Sequence, residues 1–107
     1  MVIRRFDVCL VRLDPTVGRE MQKTRPALVV SPDEMNDHLQ TIIIAPMTTK
    51  GMNYPTRVAC WFKGKSGKIA LDQMRAIDAT RCIRKLGHID PKTAAAVLNV
   101  LHDLFAP

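Results

Sequence analysis

The chain has 107 residues, 47% of them hydrophobic and 24% charged. That length suits a single domain spanning residues 1–107, and that balance excludes disordered, collagen-like and low-complexity chains. Sixteen Lys and Arg against ten Asp and Glu leave a net charge of +6, which suits a polyanionic partner as well as plain solubility.

Phe6 to Leu13 alternates Phe6, Val8, Leu10 and Arg12 with Asp7, Cys9, Val11 and Leu13, the pattern of a strand with two partly covered faces. Asp14-Pro15 stops it. Residues 16–24 form a polar loop, long enough to suggest a function. Arg25-Pro26 leads into Ala27-Leu28-Val29-Val30, a short apolar run that reads as a central strand. Arg25 then sits at the base of a strand rather than at a loop tip. Ser31-Pro32-Asp33-Glu34 has helix-start chemistry for about one turn, with Ser31 as cap.

Thr41 to Pro46 is the most strand-like run, expected to end at Pro46-Met47-Thr48-Thr49-Lys50-Gly51. Thr56 to Phe62 is another strand, with Trp61 and Phe62 supplying bulk. Gly64 to Gly67 reads as a turn. Lys68 to Leu71 and Gln73 to Ile77 read as one interrupted strand or two short ones, and Ile83 to Ile89 as a weaker strand. Asp90 caps a final helix with Pro91 at its first position. There Ala94, Val97, Leu98, Leu101 and Leu104-Phe105 recur at helical spacing and are expected to face the sheet. Many short strands and one terminal helix predict a mainly β, α+β fold: a small antiparallel barrel or strongly curled sheet with a helical cap.

The chemistry on offer is narrow. Cys9, Cys60 and Cys82 are dispersed, form no CxxC pair and lack zinc-ligand spacing to a histidine. Free thiols suit a reducing cytoplasm. No apolar run approaches the ~20 residues of a membrane span, and the N-terminus does not read as a secretory signal. His38, His88 and His102 are isolated, Ser31 and Ser66 lack a nucleophile-elbow context, and no glycine-rich phosphate loop or acidic metal cluster occurs. An enzyme of this composition is expected to work without metal or cofactor. Arg, Thr, Glu and Asp remain. They suit RNA cleavage by the substrate's own 2′-hydroxyl, where the protein need only orient and stabilise the phosphodiester. Composition alone does not rank that above a non-catalytic binding domain.

Four segments are more specific in combination: Leu13-Asp14-Pro15-Thr16-Val17-Gly18-Arg19-Glu20, Thr24-Arg25-Pro26-Ala27-Leu28-Val29-Val30-Ser31, Ala45-Pro46-Met47-Thr48-Thr49 and Asp72-Gln73-Met74-Arg75-Ala76-Ile77-Asp78. In order and spacing the chain resembles the MazF/PemK (Kid) toxins over essentially its whole length. The resemblance implies an SH3-like small barrel of the MazF, Kid and CcdB type, and a homodimer. It implies metal-independent, sequence-specific cleavage of single-stranded RNA to 2′,3′-cyclic phosphate and 5′-hydroxyl ends. Its partner would be a MazE-like antitoxin with an acidic disordered segment. Carried over by residue, Arg25 and Thr48 fall on the catalytic arginine and threonine, and Glu20 on the loop glutamate linked to activity. Asp72 and Gln73 fall where members contact RNA bases; Arg19, Gln22, Thr49 and Lys50 flank these positions and are expected to touch RNA. Kid's second catalytic arginine and its loop histidine are replaced by Ala70 and Arg19, so the chain resembles MazF more than Kid.

Plainer roles exist for the same residues. Arg25 could cap the sheet or pair with Glu20, Thr48 could be an ordinary strand-end threonine, Glu20 a solvated loop residue and Asp72 a strand terminator. Most of Lys63, Lys65, Lys68, Arg81, Arg84 and Lys85 are expected to be solvated charge. Five aromatic residues leave little scope for base stacking. RNA specificity is expected to depend on loops 16–24, 50–56 and 63–67. Two rivals share the fold: a CcdB-like gyrase poison, which relies on a terminal Trp-Gly-Ile absent from Phe105-Ala106-Pro107, and a non-catalytic RNA-binding barrel.

Overall fold

The first strand, β1 (Asp7–Arg12), lies between β2 (Thr24–Val29) and β7 (Cys82–His88), antiparallel to both. The computed structural model describes residues 1–51 and 53–107; Met52, in the 50–56 loop, lies outside the described residues. Beyond β2 the chain forms α1 (Asp33–His38), β3 (Thr41–Thr48), β4 (Arg57–Phe62), β5 (Lys65–Ala70), β6 (Arg75–Asp78) and, after β7, α2 (Pro91–Phe105). The sheet runs β4-β5-β3-β2-β1-β7, with β6 paired to the first half of β3. It curls until its outer strands meet: the Phe62 ring of β4 packs where Gly87 of β7 has no side chain, at 3.2 Å from the position a Cβ would take. This is the expected curled, mainly β fold with a terminal helix.

Both faces of β1 to β3 are covered, as the mixed alternation of β1 predicts. Val8, Leu28, Ala45, Ile69, Leu71 and Val97 belong to one core; Cys9, Val11, Leu13, Ala27, Val29 and Ile44 belong to the other. Asp7 is also buried. It accepts from the Arg4 backbone N–H at 2.7 Å and pairs with Lys85 Nζ at 3.0 Å. Lys85 is therefore structural rather than solvated. So is Arg81, which donates to the carbonyls of Leu13 and Asp14 at 3.0 and 3.2 Å and pins the base of the long loop.

Several sequence expectations need correction. Pro46 does not end β3, which continues through Met47 to Thr48. The Ile43 carbonyl faces β2, accepting from Val30 N–H, so alternation turns Pro46 nitrogen toward the opposite edge. There β6 has left at Ile44 and β5 joins only at Met47, so no donor is needed. Ser31 is not the cap of α1. The helix starts after Pro32, and Ser31 Oγ instead donates to Asn36 Oδ1 and accepts from Ile43 N–H. The turn between β4 and β5 is Lys63-Gly64, both at positive φ, and Lys65 to Gly67 are already strand; this is the mirror-image turn whose twist suits a two-residue hairpin. Trp61 is exposed, because it alternates with the inward Cys60 and Phe62. On α2 the buried stripe is narrower than expected. Val97 is buried and Ala94 and Leu101 pack beside it, while Leu98, Leu104 and Phe105 are exposed, Leu98 to the side of the stripe and the last two at the helix end. The cap of α2 is as expected, with the Asp90 carboxylate accepting from Thr93 N–H at 2.7 Å.

Candidate active site

One proline, Pro26, opens the site. Leu28 pairs with Ala45 and Ala27 with Pro46; one step further, Pro26 has no N–H to offer Met47, and the β2–β3 ladder stops. Continuing that register sets Arg25 opposite Thr48. Both line a groove of about 660 Å³ with Thr49, Lys50, Phe62 and Lys63. Because the groove lies at strand ends, it draws apolar wall from one face (Met47, Cys60, Leu86) and polar groups from the other (Arg25, Thr48, Ser66).

The donors in this groove are available. Arg25 uses only Nε internally, donating to the Gln22 carbonyl at 3.1 Å. Its terminal nitrogens have no intramolecular hydrogen bond among the described residues. Thr48 Oγ1 accepts from Lys50 N–H at 3.1 Å, which leaves its own hydrogen to donate. A guanidinium fork and a hydroxyl thus stand across one strand gap. That set matches the non-bridging oxygens of a phosphodiester. Burial pushes the Cys60 thiol up from its ordinary value, so it enters the groove wall as a neutral apolar group.

Glu20, Asp72 and Gln73 lie elsewhere, in a second hollow of about 270 Å³ with Met21, Pro46 and Arg75. Glu20 does not pair with Arg25; its carboxylate accepts from Val17 N–H at 2.6 Å and closes the loop on itself. Gln73 Oε1 accepts from Met21 N–H at 3.2 Å and ties that loop to the far side of the hollow. Asp72 faces Arg57, which donates to both its oxygens at 2.8 and 3.0 Å, while Thr56 adds a third bond at 3.2 Å. Those bonds hold the Asp72 carboxyl below its ordinary value, with the Arg57 hydrogen bond the largest cause. Arg57 also lies over the Tyr54 ring. Arg19 is exposed in the loop and lines neither hollow. Gln22 contributes its carbonyl to Arg25. Arg57 escaped the sequence reading because its partner is fifteen residues away and nothing local marks the pair. Among the described residues no three His, Cys, Asp or Glu side chains converge as metal ligands.

Residues 4–105 match the family model of the PemK-like, MazF-like toxins of type II toxin–antitoxin systems. The chain belongs to this family. It is 34% identical over 96 residues to the Endoribonuclease EndoA of Bacillus subtilis, covering 84% of this chain and 83% of that protein. It is 30% identical over 106 residues to the Endoribonuclease MazF of Staphylococcus saprophyticus, covering 94% and 88%. The crystal structure of Deinococcus radiodurans MazF superposes with a TM-score of 0.86 at 27% identity, covering 97% of this chain and 96% of that one. A Deinococcus MazE–MazF complex superposes at 0.80, also at 27% identity, with 97% and 96% covered. In this chain the PemK/MazF fold carries the Arg25–Thr48 groove at the ends of β2 and β3. Among the described residues no helix of this family member is long and apolar enough to cross a membrane.

Proposed function

We propose that this PemK/MazF family member is the toxin of a type II toxin–antitoxin system and an endoribonuclease acting on single-stranded RNA. The observation that carries the reading is the placement of Arg25 and Thr48 on adjacent strand ends, each with donors free, in one groove. Family membership and the two relatives named as endoribonucleases support it.

The 2′-oxygen attacks the neighbouring phosphorus, the bond from phosphorus to the 5′-oxygen breaks, and a 2′,3′-cyclic phosphate and a 5′-hydroxyl result. Arg25 contributes charge stabilisation on the pentacoordinate phosphorus; its pKa above ~12 makes it a poor base. Thr48 supplies a second donor. Glu20 receives the 2′-hydroxyl proton once the 16–24 loop releases its carboxylate from the Val17 amide and carries it from its own hollow to the Arg25–Thr48 groove, and water protonates the departing 5′-oxygen. Asp72, Gln73, Arg19, Gln22, Thr49 and Lys50 contact the RNA around the cut. The active unit is a homodimer of the single domain 1–107, acting in the cytoplasm, stopping translation and growth. A MazE-like antitoxin neutralises it with an acidic segment in the basic groove; the solved Deinococcus MazE–MazF complex supports an antitoxin partner.

The test uses the purified protein in EDTA with a long unstructured RNA and matched DNA. Cuts at one short motif, in RNA only, with cyclic phosphate ends, are expected. Arg25→Ala abolishes them while RNA binding survives. Unchanged turnover by that variant overturns the assignment. Absence of cuts across an RNA rich in every short motif favours a non-catalytic barrel or a gyrase poison.

A further inference from the structure

Trp61 is the chain's single tryptophan, and it is 68% exposed on β4. It joins neither core. An isolated exposed apolar side chain is ordinary; the neighbours that register gives this one are not. Thr48 pairs with Lys68, and Lys68 with Ala59. Paired residues of antiparallel strands project from one face, so the row that begins at Arg25 and Thr48 continues across β5 and β4. In the next row on that face Ser66 pairs with Trp61, and Ser66 lines the Arg25–Thr48 groove. Two strand spacings and one two-residue step put Trp61 about 12 Å from Thr48. Lys68 stands between them, its ammonium anchored on the Gly51 carbonyl at 2.7 Å. An exposed indole one step aside from a row that carries the cations Arg25 and Lys68 is an arrangement that suits single-stranded nucleic acid: cations follow the phosphates and the ring receives a base.

We propose that Trp61 stacks a base of the RNA on one flank of the cleaved phosphodiester, as a binding and specificity residue of the Arg25–Thr48 site; this rests on the RNA-cleaving reading above. Stacking tolerates every base but favours strong stackers. Trp61 therefore sets where the strand lies and biases one flanking position, while polar groups near Thr48 read the rest.

Because no other tryptophan is present, intrinsic emission reports on this one position. The probe is the single-stranded oligoribonucleotide that the wild-type protein cuts, labelled for anisotropy and carrying 2′-deoxyribose at the cut position. Quenching of Trp61 emission is expected with the same midpoint as the anisotropy rise. Trp61→Ala is expected to weaken binding roughly 5- to 150-fold, with Trp61→Phe recovering most of it and kcat at saturating RNA little changed. Both variants should match wild type in melting temperature, since Trp61 supports neither core. Anisotropy that rises while emission stays constant overturns the proposal and leaves the RNA-cleaving reading intact. Emission that shifts on diluting the protein alone, and not with RNA, assigns Trp61 to a contact between copies and also overturns it. A protein that cuts no RNA removes the underlying reading, and this inference with it.

Discussion

Arg25 and Thr48 owe their nearness to backbone register; no bond joins them. Each is held by one local hydrogen bond, to the Gln22 carbonyl and from the Lys50 amide, and each keeps its remaining donors for a ligand. Thr48→Val preserves the β-branched shape and removes only the hydroxyl. It is expected to lower kcat roughly 10²- to 10³-fold, as loss of one donor to a developing oxyanion does, with RNA affinity little changed; single-turnover cleavage checks this. Asp72 is a different kind of residue. Its carboxyl is held low chiefly by the Arg57 hydrogen bond, so it binds protons more weakly folded than unfolded. Its contribution to stability is present above the unfolded carboxylate pKa of ~3.9 and is lost as pH falls through the lower folded value. Wild type should therefore exceed Asp72→Asn in denaturant midpoint by a constant amount near neutrality, and the gap should shrink below about pH 4. A gap independent of acid would break the assignment.

Among the elements, those whose signals are local were legible in the sequence. The apolar run after Pro26 became the central strand, and Asp90-Pro91 became the start of the final helix. Elements decided by distant partners were not. Pro46 stays in β3 only because β6 and β5 leave a gap beside it. Trp61 points outward because the core takes Cys60 and Phe62. Leu98 and Phe105 follow the helical period but stay exposed, one beside the buried stripe and the other at the helix end. The candidate site divides in the same way. Arg25 and Thr48 were readable from their motifs, whereas the Arg57–Asp72 pair and the self-closed Glu20 loop required the fold. Gly87 is the element-scale case with the sharpest test. Its φ of 154° disfavours a side chain, and the Phe62 ring, 3.2 Å from where a Cβ would lie, would have to give way by a few tenths of an ångström. Gly87→Ala is expected to cost about 1–3 kcal/mol by combined backbone and packing strain, read as a shifted urea midpoint. An unchanged midpoint would mean that β4 and β7 do not rely on this contact to close the curl.

At the scale of the molecule, charge and curvature converge. The groove's Arg25, Lys50, Lys63 and Lys65 belong to a chain of net charge +6. If these four neutralise phosphates, log affinity for single-stranded RNA should fall with log salt at a slope of about −3, at roughly −0.7 per phosphate. A flat salt response would remove them from the RNA path. An acidic antitoxin segment in the same groove should compete with RNA and weaken as salt rises. Pro26, in the wall of the groove, and Pro46, beside the second hollow, carry one more consequence. A strand slipped by a single residue turns all its side chains to the opposite face, and such a slip would send Arg25 and Thr48 to opposite sides of the sheet. It would also move Pro26 and Pro46 to positions where the ladder demands a donor neither possesses. The two prolines therefore proofread the register: a chain that folds out of step forfeits its hydrogen bonds and the meeting of Arg25 with Thr48 together.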